Sequence, residues 1–539
     1  MKKHHKIAVI GSGPIGVACA YTIIQKFNLN VDMIDVGREM DDETKTIKLC
    51  GKNKSKEEFL AKINNKRINL INKKGVVPKK LYFGSDYIYK ETNDFKINKD
   101  KSCKFDYSFA KGGLGKIWGA NISSILQKDI NSWPITEKDL LPYFKFLEDI
   151  MPISSNNDLL GKRFQYKIKG EYSFNPTDQA KYLIKKSNNN IEILSDNGIF
   201  VGRAKLAVSN EKLNFFNKCI SCGLCMHGCP QDSIFDPSNI IEKVLMKRNN
   251  FRYFPNYLVS DIEEINNGSV ILKVKNLSNN KELKYEYSKV FIACGTIGST
   301  ALIAKSKKEF SKKILISDSQ KYLFPFFLNK PFPNTVSEQK NTLAQIFIHL
   351  EKLTSTSKLV HIQLYSFNDL MLEPIKKIFG ERFKNFIIFL CKPIFSRLMV
   401  GMAYFPSEVS GKLFLKLEKD KEYKLKVSGE KNKNSKLVFK EIIKKVNLFS
   451  NEIGGKIFPV GFLEHLPGVS QHFGASMPMQ KHPKGFQTDT LGRPLGMNST
   501  YVVDTSVLTE IPSTPTTFLS MANASRIAHL SLIGEGNEK

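Results

Sequence analysis

Residues 6–38 read as strand, glycine turn, helix, second strand and acid, an order that leaves the chain few folds to choose from. Ile7 to Ile10 is a short apolar run of the kind that forms a strand buried on both faces. Gly11, Gly13 and Gly16 follow it as G-x-G-x-x-G. The first glycine of such a turn permits the bend, the second lets backbone approach a pyrophosphate, and the third lets helix and strand pack closely. The helix start then offers free N–H groups and a positive dipole end to an anion. Asp35 closes the second strand 19 residues beyond Gly16, near the ~20 expected of a ribose-binding acid. The spacing predicts a dinucleotide-binding unit. The same stretch imitates an export signal, with MKKHHK, an apolar run and Ala18-Cys19-Ala20. Cleavage there would destroy the glycine turn, so the dinucleotide reading is preferred.

The chain has 539 residues, enough for about three or four domain-sized units. Its formal net charge of +29 points to anionic partners: a membrane surface, a phosphorylated substrate or nucleic acid. The lysines are dispersed along the whole chain without a basic stripe interleaved with aromatics, so nucleic acid is not an expected partner. Nine cysteines, four of them tightly clustered, point to a reducing compartment and to metal chemistry rather than disulfides. The expected location is the cytoplasm, or the periphery of the inner membrane surface. Residues 374–404 come nearest to a membrane element. There Phe386, Ile387, Ile388, Phe389 and Leu390 alternate with Lys376, Lys377, Arg382, Lys384, Lys392 and Arg397. The segment suits either an interfacial helix on an anionic bilayer or a buried helix pair broken at Pro393.

Residues 41–107 are rich in Lys, Asn and Asp and read as an extended, loop-rich excursion. SFAKGGLGKIWGANI, residues 108–122, carries four glycines that allow close backbone approach to a ligand. A helix is expected over Leu140 to Met151, with Thr136 as its cap and Asp139 three residues on. Residues 251–293 read as strands with a turn at Asn267-Gly268. Val290 to Ala293 is a further apolar strand that Cys294-Gly295-Thr296-Ile297-Gly298-Ser299 turns into a helix. LVHIQLYSF, within 306–470, alternates as a strand of a separate antiparallel sheet would.

The last 70 residues hold SQHFGASMPM (470–479), TDTLGRPLG (488–496) and STYVVDTSVLTEIPSTPTTFLSMANASRIAH (499–529). With the opening fingerprint, GGLGKIWGAN and ACGTIGST, these resemble the glucose–methanol–choline (GMC) oxidoreductases, in that family's order along the chain. The resemblance implies an α/β fold: a Rossmann-like FAD-binding domain joined to an α+β substrate domain on an antiparallel sheet. The FAD-binding parts would be 1–124, 205–305 and 470–539, and the substrate parts 125–204 and 306–469. It further implies oxidation of an alcohol or carbohydrate with hydride passing to FAD. His472 occupies the family's catalytic histidine position, where imidazole suits proton removal near neutral pH. Thr514 stands where the family usually carries a second His or Asn, and a threonine hydroxyl cannot serve as a base. Thr514 also reads as the N-cap of the last helix with Pro515 at its first position. The implied cofactor-binding residues are Gly11, Gly13, Gly16, Asp35, Gly112, Gly113, Asn121, Val259, Gly295, Asp504 and Thr516. The chain lacks a histidine around Lys116–Trp118, so FAD is expected without a covalent bond.

KCISCGLCMHGCP, residues 218–230, reads C-x2-C-x2-C-x3-C-P, the spacing of one half of a bacterial ferredoxin. Cys219, Cys222, Cys225 and Cys229 are the candidate metal ligands. In two-cluster ferredoxins the fourth cysteine serves the other cluster, so here Cys229 would close the site locally, or Cys103, Cys294 or Cys391 would complete it. An iron–sulfur cluster ([4Fe-4S] or [3Fe-4S]), a zinc ion and metal-free thiols packed near the flavin all fit the spacing. With a cluster, electrons would leave for a quinone or a redox protein, and the enzyme would be a dehydrogenase. The second reading of the whole chain is a flavin and iron–sulfur electron-transfer subunit without alcohol chemistry of its own.

Overall fold

The computed structural model describes residues 6–68, 80–155, 158–166, 175–209, 211, 215–266, 268–367, 371, 384–419 and 423–533. The opening motif forms as its spacing predicts. Strand Lys6–Ile10 leads through the glycine turn into helix Pro14–Phe27, and strand Asn30–Ile34 returns parallel to the first. Pro14 begins the helix, where a missing N–H costs nothing. Lys6–Ile10 is the centre of a five-stranded parallel sheet ordered Thr500–Val502, Lys289–Ile292, Lys6–Ile10, Asn30–Ile34, Phe251–Phe254. One sheet thus draws on the beginning, the middle and the end of the chain. Ile7, Val9, Val17, Phe291 and Val502 are fully withdrawn from water in its core, and the last helix, Thr517–Leu530, packs against Pro14–Phe27.

A seven-stranded antiparallel sheet lies over this unit. Its order is Gly455–Ile457, Lys321–Leu328, Leu398–Tyr404, Val360–Tyr365, Ile346–Leu350, Ile199–Arg203, with Leu463–Glu464 pairing on Lys321–Leu328. The alternation in LVHIQLYSF is therefore a strand of a separate antiparallel sheet, as read. A further five-stranded sheet joins Lys313–Asp318 to Phe473–Gly474, which fixes the chain beside His472 from both directions.

Three local expectations need correction. Residues 41–68 are not loop: they form helices Asp42–Asn53 and Lys56–Ile68. The first is capped by Asp41, whose carboxylate accepts from the Thr44 N–H at 2.7 Å. Their few large apolar residues hid them among the Lys, Asp and Asn residues. The last helix starts at Thr517 with Thr516 as its N-cap, not at Pro515 behind Thr514. A residue before proline is biased away from helical backbone, and here the turn runs on through Pro515. Pro393 does not break its helix, which runs Lys384–Phe395 with the proline inside it. The helix Glu137–Leu147 does carry the Thr136–Asp139 capping box. Asn267 of the expected 267–268 turn lies outside the described residues, as do Lys376, Lys377 and Arg382.

Candidate functional site

A cavity of about 510 Å³ runs from the glycine turn to the underside of the antiparallel sheet. Gly11, Gly13, Asp35, Gly113, Asn121, Val259, Gly295, His472 and Thr516 line it. Gly16, Gly112, Asp504 and Thr514 do not, and each has a place behind the wall. A Cβ at Gly16 would collide with the Gly11 carbonyl oxygen, so this glycine is where helix meets strand. The Gly112 N–H donates to Ser12 Oγ at 2.9 Å. Asp504 is buried and accepts from Ser299 Oγ at 2.5 Å and from the Ser506 N–H at 3.0 Å. Thr514 is buried between Ser513 and the cavity-lining Pro515.

At one end of the cavity the backbone makes the site. A Cβ at Gly13 would meet nothing within 4 Å, so backbone there opens onto the space. Gly295, at φ +74°, is equally open and begins helix Gly295–Ser306. Asp35 accepts from Ser12 Oγ and, at 3.0 Å, from the Tyr253 hydroxyl. Burial pushes its carboxyl up to about 6, against the pull of those two donors. Pyrophosphate facing open glycine backbone and a ribose facing a buried acid is the division of labour a dinucleotide requires. Thr516 and Thr517, at the start of the last helix, line the far end. The residues present fit FAD.

At that far end side chains make the site. The His472 ring stacks on Tyr404 with centroids 4.9 Å apart and planes 24° from parallel. Its loop is anchored by Asp318, which is buried and accepts from the Gly468 N–H at 2.8 Å and from Ser470 Oγ at 2.7 Å. Ser470 Oγ in turn accepts from the His472 N–H at 3.0 Å, and the His472 carbonyl accepts from the Ser319 N–H at 2.9 Å. Burial, with a smaller push from Lys321, holds His472 down at about 4, so the imidazole is neutral at physiological pH and one ring nitrogen is free to accept a proton. Its Nδ1 is buried with no partner among the described residues.

Above it, strand Val360–Tyr365 carries His361, Gln363 and Tyr365 on alternate positions, hence on one face. Gln363 Oε1 accepts from Asn121 Nδ2 at 2.9 Å and from the Tyr365 hydroxyl at 2.8 Å, while Gln363 Nε2 meets His361 Nε2 at 3.1 Å. These bonds fix the Asn121 amide and leave its Oδ1 buried without a partner among the described residues. Burial and the neighbouring His472 push His361 down to about 3. Ser12, Tyr253, Asp318, Gln363, Tyr365 and Tyr404 were not anticipated. The polar alternation inside LVHIQLYSF was the available signal for Gln363 and Tyr365, since a buried strand rarely carries three polar groups on one face without a use for them.

Cys219, Cys222, Cys225 and Cys229 all line a second, small cavity, with about 10 Å³ of free space. Cys103, Cys294 and Cys391 do not line it, so Cys229, not a remote thiol, is the fourth member of the set. Burial raises the Cys219 and Cys222 thiols to about 12. Among the described residues no three His, Cys, Asp or Glu side chains meet as a metal-binding group, so the convergence of thiols that a zinc ion or an iron–sulfur cluster requires is not formed. Trp118 lines the large cavity and also the space beside Cys225 and Cys229, and its indole N–H donates to the Phe235 carbonyl at 2.9 Å. Among the described residues no helix is long and apolar enough to cross a membrane.

No family model matches this sequence, and no curated protein matches it. Among solved structures, the crystal structure of pyridoxine 4-oxidase from Mesorbium loti shares the fold. The likeness has a TM-score of 0.59 at 12% sequence identity and covers 98% of this chain and 99% of that one. It therefore spans the whole architecture, parallel sheet and antiparallel sheet together, so the α/β unit joined to an antiparallel sheet expected from the sequence is a fold the two chains share.

Proposed function

We propose that this chain is an FAD-dependent oxidoreductase that oxidises the CH–OH group of an alcohol or sugar-like donor, with His472 as the base. One observation carries the reading: a single cavity joins an open-glycine, buried-acid nucleotide end to a neutral imidazole at the other end. The fold neighbour, named as an oxidase of pyridoxine, is in keeping with it. Gly11, Gly13, Gly113 and Gly295 would hold the pyrophosphate region, Asp35 the adenosine ribose, and Asn121 and Thr516 the flavin end. FAD, when bound, supplies the acceptor for the hydride. The chain's own residues do the rest. Asp318 and Ser470 hold the His472 loop, and Tyr404 holds its ring against rotation. His472 takes the donor hydroxyl proton on the ring nitrogen it offers to the cavity, a task worth about 10²–10⁴ in rate. Asn121 lines the cavity with its amide held by Gln363 and would shape the flavin end. The cysteine usage favours a reducing compartment, the cytoplasm or the periphery of the inner membrane surface.

A second reading concerns the electron acceptor. The ferredoxin spacing is what supports an iron–sulfur cofactor, and with it a dehydrogenase; the four thiols line one small cavity but do not converge as a metal-binding group among the described residues, so a cluster would have to draw them together. One experiment tests both. Protein prepared without oxygen should show flavin bands, and a broad absorbance between them if iron–sulfur is present. Alcohols added anaerobically should bleach the flavin. A colourless protein that does not take up FAD overturns the first reading. Bleaching by a redox partner but by no alcohol assigns the chain to electron relay.

A further inference from the structure

We infer that the helix Lys384–Phe395 and the turn after strand Gly455–Ile457 form one docking surface for an anionic phospholipid membrane. The helix carries Phe386, Phe389, Leu390 and Ile394 at spacings of three, one and four, which places them on one face. That face is turned outward: Phe389 is 73% exposed, and the other three are exposed as well. The inward side is anchored by Phe395, whose ring lies 5.1 Å from that of Phe367. A helix with its apolar face to water and its inner edge already satisfied needs something to cover it.

The turn supplies a second apolar patch in the same place. Phe458 and Val460 are exposed, Val460 by 60%. Strand register puts them beside the helix. Leu398, three residues past the helix end, pairs with Phe327 on one side, and Lys456 pairs with Phe327 on the other. Two strand spacings separate them, about 10 Å. The Phe458 ring rests on Phe327 at 5.4 Å. The turn therefore lies beside the chain that leaves the helix, on the same side of the sheet.

Charge selects the occupant. Residues 384–404 contain three basic residues, Lys384, Lys392 and Arg397, and no acidic one. Lys392, on the helix, and Lys330 and Lys456, on the neighbouring strand ends, are exposed around the patch. An apolar face edged with lysines is the pattern of a helix lying in an anionic bilayer interface. A second copy of the chain would bring the same +29 charge against it and be repelled. Behind the patch, Met371 packs both against the Phe367–Phe395 cluster and against the core that contains Tyr365 and Met402, so the docked face would lie on the substrate side of the molecule. The docking itself does not depend on the flavin reading; only its placement on the substrate side rests on it.

Co-sedimentation of the full-length protein with vesicles tests it. Vesicles of phosphatidylcholine mixed with phosphatidylglycerol should retain the protein, phosphatidylcholine alone should retain it about tenfold less, and added salt should release it. The pair Phe389→Asp and Ile394→Asp should lower partitioning by at least about tenfold, with the thermal midpoint and the visible spectrum unchanged. Lys392→Glu, a milder change, should lower it about threefold and keeps the test open if the double variant does not fold. Failure to pellet with anionic vesicles overturns the proposal. So does unchanged partitioning of the variants. A wild-type dimer in light scattering that the double variant dissolves would assign the face to a second copy.

Discussion

The two ends of the large cavity are built in opposite ways. The nucleotide end comes from backbone and from residues close in sequence: Gly11, Gly13 and Asp35 lie within 25 residues of one another. The reacting end comes from side chains that meet only in the fold: Asn121, Gln363, Tyr404 and His472 belong to four separate segments. A backbone site tolerates drift in the surrounding sequence, because an N–H is the same whichever residue carries it. A side-chain site is as specific as its members, and it depends on every element that aims them. Changes at the first end should alter occupancy; changes at the second should alter rate.

The largest effect should come from the rate end. His472→Asn should slow anaerobic flavin reduction by alcohol about 10²–10⁴-fold while FAD remains bound, as stopped-flow and bound-flavin absorbance would show. Loss of FAD instead would dissolve the contrast between the two ends. The same residue gives a pH signature. His472 is held near 4, below its ordinary value, by burial. Protonation removes the base, so the reduction rate should be flat above about pH 6 and fall only as pH drops through about 5 towards 4. A limb centred near 6.5 would mean a base that water still reaches.

Next comes a pair of identical substitutions at the nucleotide end. Gly13→Ala adds a methyl that meets no protein atom but projects where backbone opens on the cavity. Gly13 has φ −63°, which alanine adopts without strain. The protein should fold normally and bind FAD more weakly, by on the order of 10², in a fluorescence titration. Gly16→Ala drives the same methyl into the Gly11 carbonyl and should cost stability, about 1–3 kcal/mol, by thermal denaturation. Asp35→Asn is smaller: it replaces a charged acceptor by a neutral one and should weaken FAD about tenfold. Equal loss of stability in Gly13→Ala and Gly16→Ala would show that both glycines serve packing alone.

What could be read from the sequence follows the same divide. The strand, turn and acid of residues 6–35 were legible because each step is local and each residue type has one reason to be there. His472 was legible only through the neighbouring motif. Asp318 was not, because it acts through Gly468 and Ser470, 150 residues away, and nothing local marks a buried aspartate on a strand. Tyr404 was hidden for the same reason: its partner is a ring 68 positions on. The helices at 42–68 were missed because the stripe the first one buries, Thr44, Ile47, Cys50 and Gly51, holds only one large apolar residue among many charged ones.

Thr514 gives the smallest prediction and the sharpest use of the contrast. Its position in the sequence suggested either a substrate contact or the cap of the last helix. The cap is Thr516, and the cavity wall passes through Pro515, Thr516 and Thr517 without it. Thr514→Val removes the hydroxyl and keeps the branched shape, so a side chain that only fills space loses little. Flavin reduction and FAD affinity should both stay within about threefold of the parent, consistent with a change under 1 kcal/mol. If the hydroxyl touches the donor, the rate should instead fall tenfold or more with affinity for FAD unchanged. That outcome would add Thr514 to the stretch of Pro515, Thr516 and Thr517 that already lines the far end, since its hydroxyl would then reach the donor past Pro515.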